Sequence, residues 1–219
     1  MVNIMNKRAN TALIIFCKSP DPSTVKTRLS PVLNDEERIR LYTFLLIKAI
    51  TTLRDIEDTD VYLCYSPPDA ESRFKRFGLK LFPQTEGDLG VRMANAFNRI
   101  FTDGYTRAII VGVDIPELDG NIIKKASSIL ENKDIVFGPA HDGGYYLVGM
   151  NHLHTEIFEG IPWSSVNTLK SSLGRADALG LTYGLTKKLH DLDTPEDLDL
   201  FRDLVNKVLG STTDIRKPC

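Results

Sequence analysis

The run Thr11-Ala12-Leu13-Ile14-Ile15-Phe16-Cys17 carries no charge and no alternation of polar with apolar residues. It is too short for a buried helix, so it reads as a strand covered on both faces, as in a parallel sheet with helices on each side. The run Ala108 to Val113 has the same character. Such strands demand helices to cover them, and the chain supplies amphipathic segments between them. A helix capped by Asn34 or Asp35 presents Ile39, Leu41, Tyr42, Leu45, Leu46, Ala49 and Leu53 as its apolar face. Further strands are predicted over 60–65, 79–83, 107–113, 134–138, 145–150 and 181–185, and further helices over 70–76, 91–103, 121–131, 167–179 and 195–209. This alternation predicts one α/β domain with a mostly parallel sheet. The domain is expected over 11–209, between a flexible segment 1–10 and a polar, frayed tail 210–219.

Lys and Arg number 27 against 29 Asp and Glu, a formal net charge of −2. That balance excludes the basic footprint of a nucleic-acid polymer partner. Positive charge instead concentrates locally at Lys18, Lys26 and Arg28, which suits a small anionic ligand. No apolar run has the length of a membrane span, and Met1 to Asn10 lacks the apolar core of a signal peptide. Cys17, Cys64 and Cys219 show no metal-ligand or redox spacing, so a reducing, cytoplasmic compartment is expected.

Chemistry-bearing residues gather where strands end. The first strand runs into Lys18-Ser19-Pro20-Asp21-Pro22-Ser23-Thr24-Val25-Lys26-Thr27-Arg28, whose cations and hydroxyls match what phosphate oxygens require. It is neither a P-loop nor a dinucleotide fingerprint. The strand 107–113 ends on Asp114, and Asp191 and Asp193 lie in an extended segment before a helix capped by Thr194. At a period of two those acids share a side, and Asp193 is the better candidate because it lies nearer the helix start. Carboxylates converging from two strand ends suit a hard cation such as Mg²⁺ or Mn²⁺. Glu196 and Asp197 fall in the first helical turn and are read as structural. Asp142, before Gly143 and Gly144, is a candidate base in a loop that lets backbone approach a ligand. His141 is read as peripheral. Gln84 can read a base edge, and Arg92, downstream of Asp88, can reach phosphate. Trp163 is a stacking surface or a core residue.

These segments together resemble DUF2064, a bacterial glycosyltransferase-like family, some members of which are associated with arsenosugar biosynthesis. The resemblance rests on Lys18 to Leu29, Gly87 to Met93, Gly112 to Pro116, Gly138 to Gly149 and Asp191 to Leu198, in that order. It implies a single-domain, three-layer nucleotide-diphospho-sugar transferase fold of the GT-A type. It also implies Asp114 and Asp193 as ligands of Mg²⁺ or Mn²⁺, and Lys26 and Arg28 as phosphate contacts. Lys18, Gln84, Asp88, Arg92, Gly143 and Gly144 complete the expected nucleotide site. Ser23 departs from the family's loop glycine, and Asp114 stands alone where sugar transferases often carry Asp-x-Asp. The activity expected is metal-dependent transfer of a sugar from a nucleotide-diphosphate donor to a small acceptor, with Asp142 as base and Lys26 and Arg28 stabilising the leaving phosphate. The alternatives are nucleotidyl transfer from a nucleoside triphosphate, which resembles the molybdopterin and phospholactate guanylyltransferases, and a non-catalytic nucleotide-sugar binder.

Overall fold

A computed structural model describes residues 10–210. The expectations for 1–9, for 211–219 and for Cys219 lie outside the described residues. Strands β1 (Thr11–Lys18), β2 (Thr59–Ser66), β3 (Lys80–Pro83), β4 (Arg107–Val111), β5 (Ile135–Pro139), β6 (Tyr145–Met150) and β7 (Tyr183–Leu185) form one sheet. Their order is β3-β2-β1-β4-β6-β5-β7. All neighbours pair in parallel except β6, which is antiparallel to both β4 and β5.

Alternate side chains of β1 explain its unbroken apolar run. Leu13, Ile15 and Cys17 enter one core with Tyr42, Leu46, Ala49 and Ile50 of α1 (Asp35–Leu53), Phe74 of α2 (Glu71–Phe74) and Ile123 of α4 (Gly120–Ile129). Ala12 and Ile14 enter the opposite core with Met93, Ala96, Phe97 and Ile100 of α3 (Leu89–Thr102) and Ala176 of α5 (Thr168–Ala178). Helices therefore cover both faces, as a doubly buried parallel strand requires. A third cluster joins Leu41 and Leu45 of α1 to Leu29, Leu192, Leu198 and Val205 at the sheet's end.

Helix starts follow capping chemistry. Asn34 and Glu37 exchange bonds as a capping box, and Asp88 and Asp119 accept from the N–H of Val91 and Ile122. The helix expected over 195–209 is divided into α6 (Pro195–Leu200) and α7 (Arg202–Leu209) at Phe201, which has φ −107° and ψ 30°. The break turns Leu198 of one piece and Val205 and Leu209 of the other onto the same cluster.

The register of β1 creates the crevice. Its pairing with β4 ends at Ile15↔Val111, two residues earlier than the sequence predicts for β4. The Gly112 N–H then turns to the Tyr146 carbonyl on β6. Phe16, Cys17 and Lys18 keep β2 as their only strand neighbour. A gap opens beside them where strand order reverses, the place where open α/β sheets bind ligands.

Candidate active site

A cavity of about 520 Å³ fills that gap and is lined by Lys18, Lys26, Arg28, Arg92, Asp114, Asp142, Asp191 and Asp193 among others. Its first wall is the loop after β1, which is held in shape from beneath. The Asp21 carboxylate accepts the Ser23 N–H at 2.9 Å and the Ser23 hydroxyl at 2.5 Å, while the N–H groups of Thr24 and Val25 donate to the Asp21 carbonyl. From α1, the buried Arg38 donates to the carbonyls of Pro22 and Val25, at 2.8 and 3.2 Å. Arg73 donates to the Ser19 hydroxyl at 2.9 Å. Tyr42 closes the end of β1, accepting the Lys18 N–H at 2.7 Å and donating to the Lys18 carbonyl at 3.1 Å.

Ser23 does not need a glycine's conformation here; the left-handed residue of the loop is Lys26, at φ 50°. A non-glycine residue there costs roughly 1–2 kcal/mol. What holds it is its side chain, which is 1% exposed. The ammonium forms an ion pair with Asp114, lies 3.8 Å from Asp193 Oδ1 and donates to the Leu192 carbonyl at 2.5 Å. Lys26 thus lines the cavity with its ammonium already engaged by the acids, so a phosphate would meet it only in exchange for that pairing. A buried ammonium needs paired carboxylates more than water-exposed loop cations do, and these two are within its reach.

Leu192 assembles the second wall. Its side chain is fully buried in the third cluster, and its N–H donates to the Asp114 carbonyl at 2.9 Å. That anchor forces its neighbours Asp191 and Asp193 toward the cavity, which both line. Asp197 reaches back to accept the N–H groups of Asp193 and Thr194, at 2.9 and 2.7 Å. Asp193 also lies 3.5 Å from Arg28, and its carboxyl is raised by burial, which Lys26 partly offsets. Asp191 is the residue that sequence reasoning undervalued. Burial first, then Asp142 and Asp114, push its carboxyl up to about 7, and its Oδ2 is buried without a hydrogen-bond partner. Its period-two relation to Asp193 was the available signal.

The remaining expected residues divide. Gln84 is buried; its amide donates to the carbonyls of Cys17 (3.1 Å) and Cys64 (3.0 Å), and its Oε1 accepts from Arg92 at 3.1 Å. With both donors committed to strand ends, it joins β1 to β2 and holds Arg92 instead of reading a base edge. Asp88 caps α3 and does not line the cavity. Gly143 sits at φ 91° against the backbone of Val166, where a Cβ would collide, so its role is the turn itself. Gly144 does line the cavity, and its N–H donates to Asp142 Oδ1 at 2.8 Å. Lys18 and Arg28 are exposed, and Arg92 is intermediate. These three line the cavity together with the buried Lys26, and they are its more accessible cations.

Trp163 lies at the boundary between core and cavity. It packs against the second core and lines the cavity, close enough to α3 that a Cβ on Gly90 would lie 2.7 Å from its ring. His141 stacks on His190 with ring centroids 3.5 Å apart, and the His141 N–H donates to the Leu189 carbonyl at 3.0 Å. This stack ties the Asp142 loop to the segment carrying Asp191.

Among the described residues no group of three or more His, Cys, Asp or Glu side chains is arranged to hold a metal ion. The donor chemistry nevertheless fits Mg²⁺ or Mn²⁺. Two carboxylates, Asp114 and Asp193, turn toward one point, now taken by the Lys26 ammonium, and the buried Asp191 Oδ2 accepts no hydrogen bond. Mg²⁺ is commonly bound through one or two carboxylates, with substrate phosphates and water completing its shell.

The fold and the strand-end crevice define a nucleotide-diphospho-sugar transferase fold of the GT-A type. Residues 49–165 match the family described as "Uncharacterized protein conserved in bacteria (DUF2064)", and the chain belongs to that family. It is similar to a protein of Desulfovibrio desulfuricans G20 provisionally described as a nucleotide-diphospho-sugar transferase. The identity is 30%, with 91% of this chain and 88% of that one covered and a TM-score of 0.84. CMP:2-keto-3-deoxy-manno-octonic acid synthetase complexed with CTP shares the fold at 12% identity and TM-score 0.56, covering 90% of this chain and 99% of that one. Glucosyl-3-phosphoglycerate synthase of Mycobacterium tuberculosis, in complex with Mn²⁺, UDP and glucosyl-3-phosphoglycerate, shares it at 12% identity and TM-score 0.50, covering 94% and 81%. No curated protein matches the chain. Among the described residues no helix is long and apolar enough to cross a membrane.

Proposed function

We propose that this protein is a metal-dependent glycosyltransferase moving a sugar from a nucleotide-diphosphate donor to a small acceptor, in the cytoplasm. The observation that carries the reading is the division of charge in one cavity. Asp114 and Asp193 converge on the Lys26 ammonium, and Lys18, Arg28, Arg92 and Asp142 line the same cavity. The three open cations bind and orient the diphosphate, with Arg92 held in place by Gln84. Arg28 stabilises the charge that grows on the leaving phosphate. Asp142, one oxygen committed to Gly144, takes the acceptor's hydroxyl proton on the other. A divalent cation held by Asp114 and Asp193 supplies neutralisation of the departing diphosphate. Support comes also from the Desulfovibrio relative and from the neighbour that holds Mn²⁺ and UDP.

Nucleotidyl transfer is the second reading, favoured by the single strand-end carboxylate and by the likeness to a CTP-bound synthetase. A phosphate nucleophile needs little base assistance, so the two readings separate at Asp142. Thermal-shift screening of the purified protein against nucleotide sugars and nucleoside triphosphates, with and without Mn²⁺, tests both. A ligand at a hundred times its Kd adds about 2.7 kcal/mol. Metal-dependent stabilisation by a nucleotide sugar, followed by release of nucleoside diphosphate that Asp142→Asn abolishes, is the expected result. Stabilisation by triphosphate, with pyrophosphate release that survives Asp142→Asn, moves the assignment to nucleotidyl transfer. Binding without turnover would identify a nucleotide-sugar binder.

A further inference from the structure

We infer that Lys26 is an internal counter-ion for the metal-binding acids, so that Asp114 and Asp193 accept a divalent cation only when a phosphate-bearing ligand draws the ammonium away. The inference rests on the reading of those two acids as cation ligands given above. Four observations place Lys26 in that role. Its ammonium forms an ion pair with Asp114 and lies 3.8 Å from Asp193 Oδ1, the two carboxylates that a metal would share. It is fixed there by the Leu192 carbonyl, at 2.5 Å, and Leu192 is itself bonded to the Asp114 backbone. Its side chain is 1% exposed, so water does not compete for it. Its left-handed backbone, at φ 50°, aims the stem inward.

An ammonium and a divalent cation repel strongly at the separation that one carboxylate pair allows. The ammonium must therefore leave before the acids can coordinate metal. A buried ammonium cannot leave without another anion to pair with. The phosphates of a ligand held by Lys18, Arg28 and Arg92 provide that anion in the same cavity. A lysine suits the exchange because its charge is compact and its stem flexible, whereas a guanidinium would be held by planar, forked bonding. Bare metal is thus excluded, and metal and phosphate enter together.

The test uses Mn²⁺ alone, with no nucleotide and no turnover, so its outcome is independent of which group the enzyme transfers. Free Mn²⁺ is counted by electron paramagnetic resonance in titrations of the wild-type protein, Lys26→Met and Lys26→Gln, each checked for folding by circular dichroism. A neutral side chain at position 26 is expected to tighten Mn²⁺ binding at least tenfold, and adding Asp114→Asn is expected to abolish that gain. Equal or weaker binding by a folded neutral variant overturns the inference, as does low-micromolar wild-type binding that depends on Asp114. Should neither variant fold, wild-type crystals soaked in MnCl₂ decide. Anomalous density at Asp114 with the ammonium still on that carboxylate overturns the inference. Density at Asp114 that appears only when inorganic pyrophosphate is added, with Lys26 turned away, supports it, and no density in either soak overturns it together with the reading of the two acids as cation ligands.

Discussion

The two ends of the sheet both carry a cavity, and they handle polar groups in opposite ways. At the end where β1, β2 and β4 begin, a space of about 350 Å³ is lined by residues including Thr11, Arg107, Ser127 and Glu131. Among the described residues no acid is buried without a partner there: Thr11 and Ser127 hydroxyls lie 3.4 Å apart, and Arg107, whose Nε is buried without a hydrogen-bond partner, meets a Glu131 that is 59% exposed. At the other end acids gather: Asp114 and Asp193 share the buried Lys26 ammonium, and Asp191 Oδ2 is a carboxylate oxygen buried without a hydrogen-bond partner among the described residues. Burying acids in that state opposes folding, and a fold tolerates it where ligand chemistry needs it. What separates the two ends is the buried, unpartnered carboxylate, an observation independent of any family likeness.

Removing Asp114 should break the comparison most severely. Asp114→Ala takes the nearer of two carboxylates from the buried Lys26 ammonium and leaves it to Asp193 and the Leu192 carbonyl, so the cost should fall below the roughly 3–5 kcal/mol of a fully stranded buried charge. Under the proposed mechanism, in which Asp114 is a metal ligand, transfer activity should fall by about a thousandfold or more. Urea denaturation and product assays check the two effects separately. Gln84→Ala should follow, at about 2–3 kcal/mol, because the Cys17 and Cys64 carbonyls lose their shared donor. The same variant should weaken nucleotide binding, read by calorimetry, because Arg92 loses its anchor.

Asp191→Asn should act in the other direction. With its carboxyl raised to about 7, the folded state binds the proton more tightly than the unfolded chain does. Stability contributed by the neutral form is complete below the unfolded value of about 4 and is lost as pH rises through about 7. Asn should therefore raise the Tm at pH 8, by roughly 2–4 °C for each kcal/mol recovered, and leave it nearly unchanged at pH 4. Calorimetric scans at the two pH values check the sign. At the opposite cavity, Glu131→Gln should change stability by less than about 0.5 kcal/mol and leave transfer untouched. A large effect there would erase the distinction between the two ends.

Much of this architecture is legible in the sequence because the signals are local. The apolar run of β1, the alternation of strands with helices and the cap at Asn34 each follow from a few adjacent residues. So does the placing of Asp114, Asp142 and Asp193 at strand ends, all of which line the cavity. What escapes is the direction a side chain takes once distant elements compete for it. Nothing local says that Lys26 adopts a left-handed backbone and turns inward; Asp114 and Leu192, far along the chain, decide that. Gln84 looks like a ligand-reading amide until the ends of β1 and β2 take its donors. Asp88, expected in the nucleotide site, instead accepts the Val91 N–H as the cap of α3. Asp191 owes its burial to the leucine after it, whose partners lie on α1 and after β1. Phe201 breaks its helix to serve the same cluster.

The packing of Trp163 against α3 has a practical consequence. It is the only tryptophan in the chain, and its indole is half-buried in the cavity wall, 6.4 Å from Tyr145 by ring centroids. The protein therefore carries an intrinsic fluorophore at the site itself, so a ligand entering the cavity can be followed by emission without any label, in the native chain and in each variant that keeps position 163.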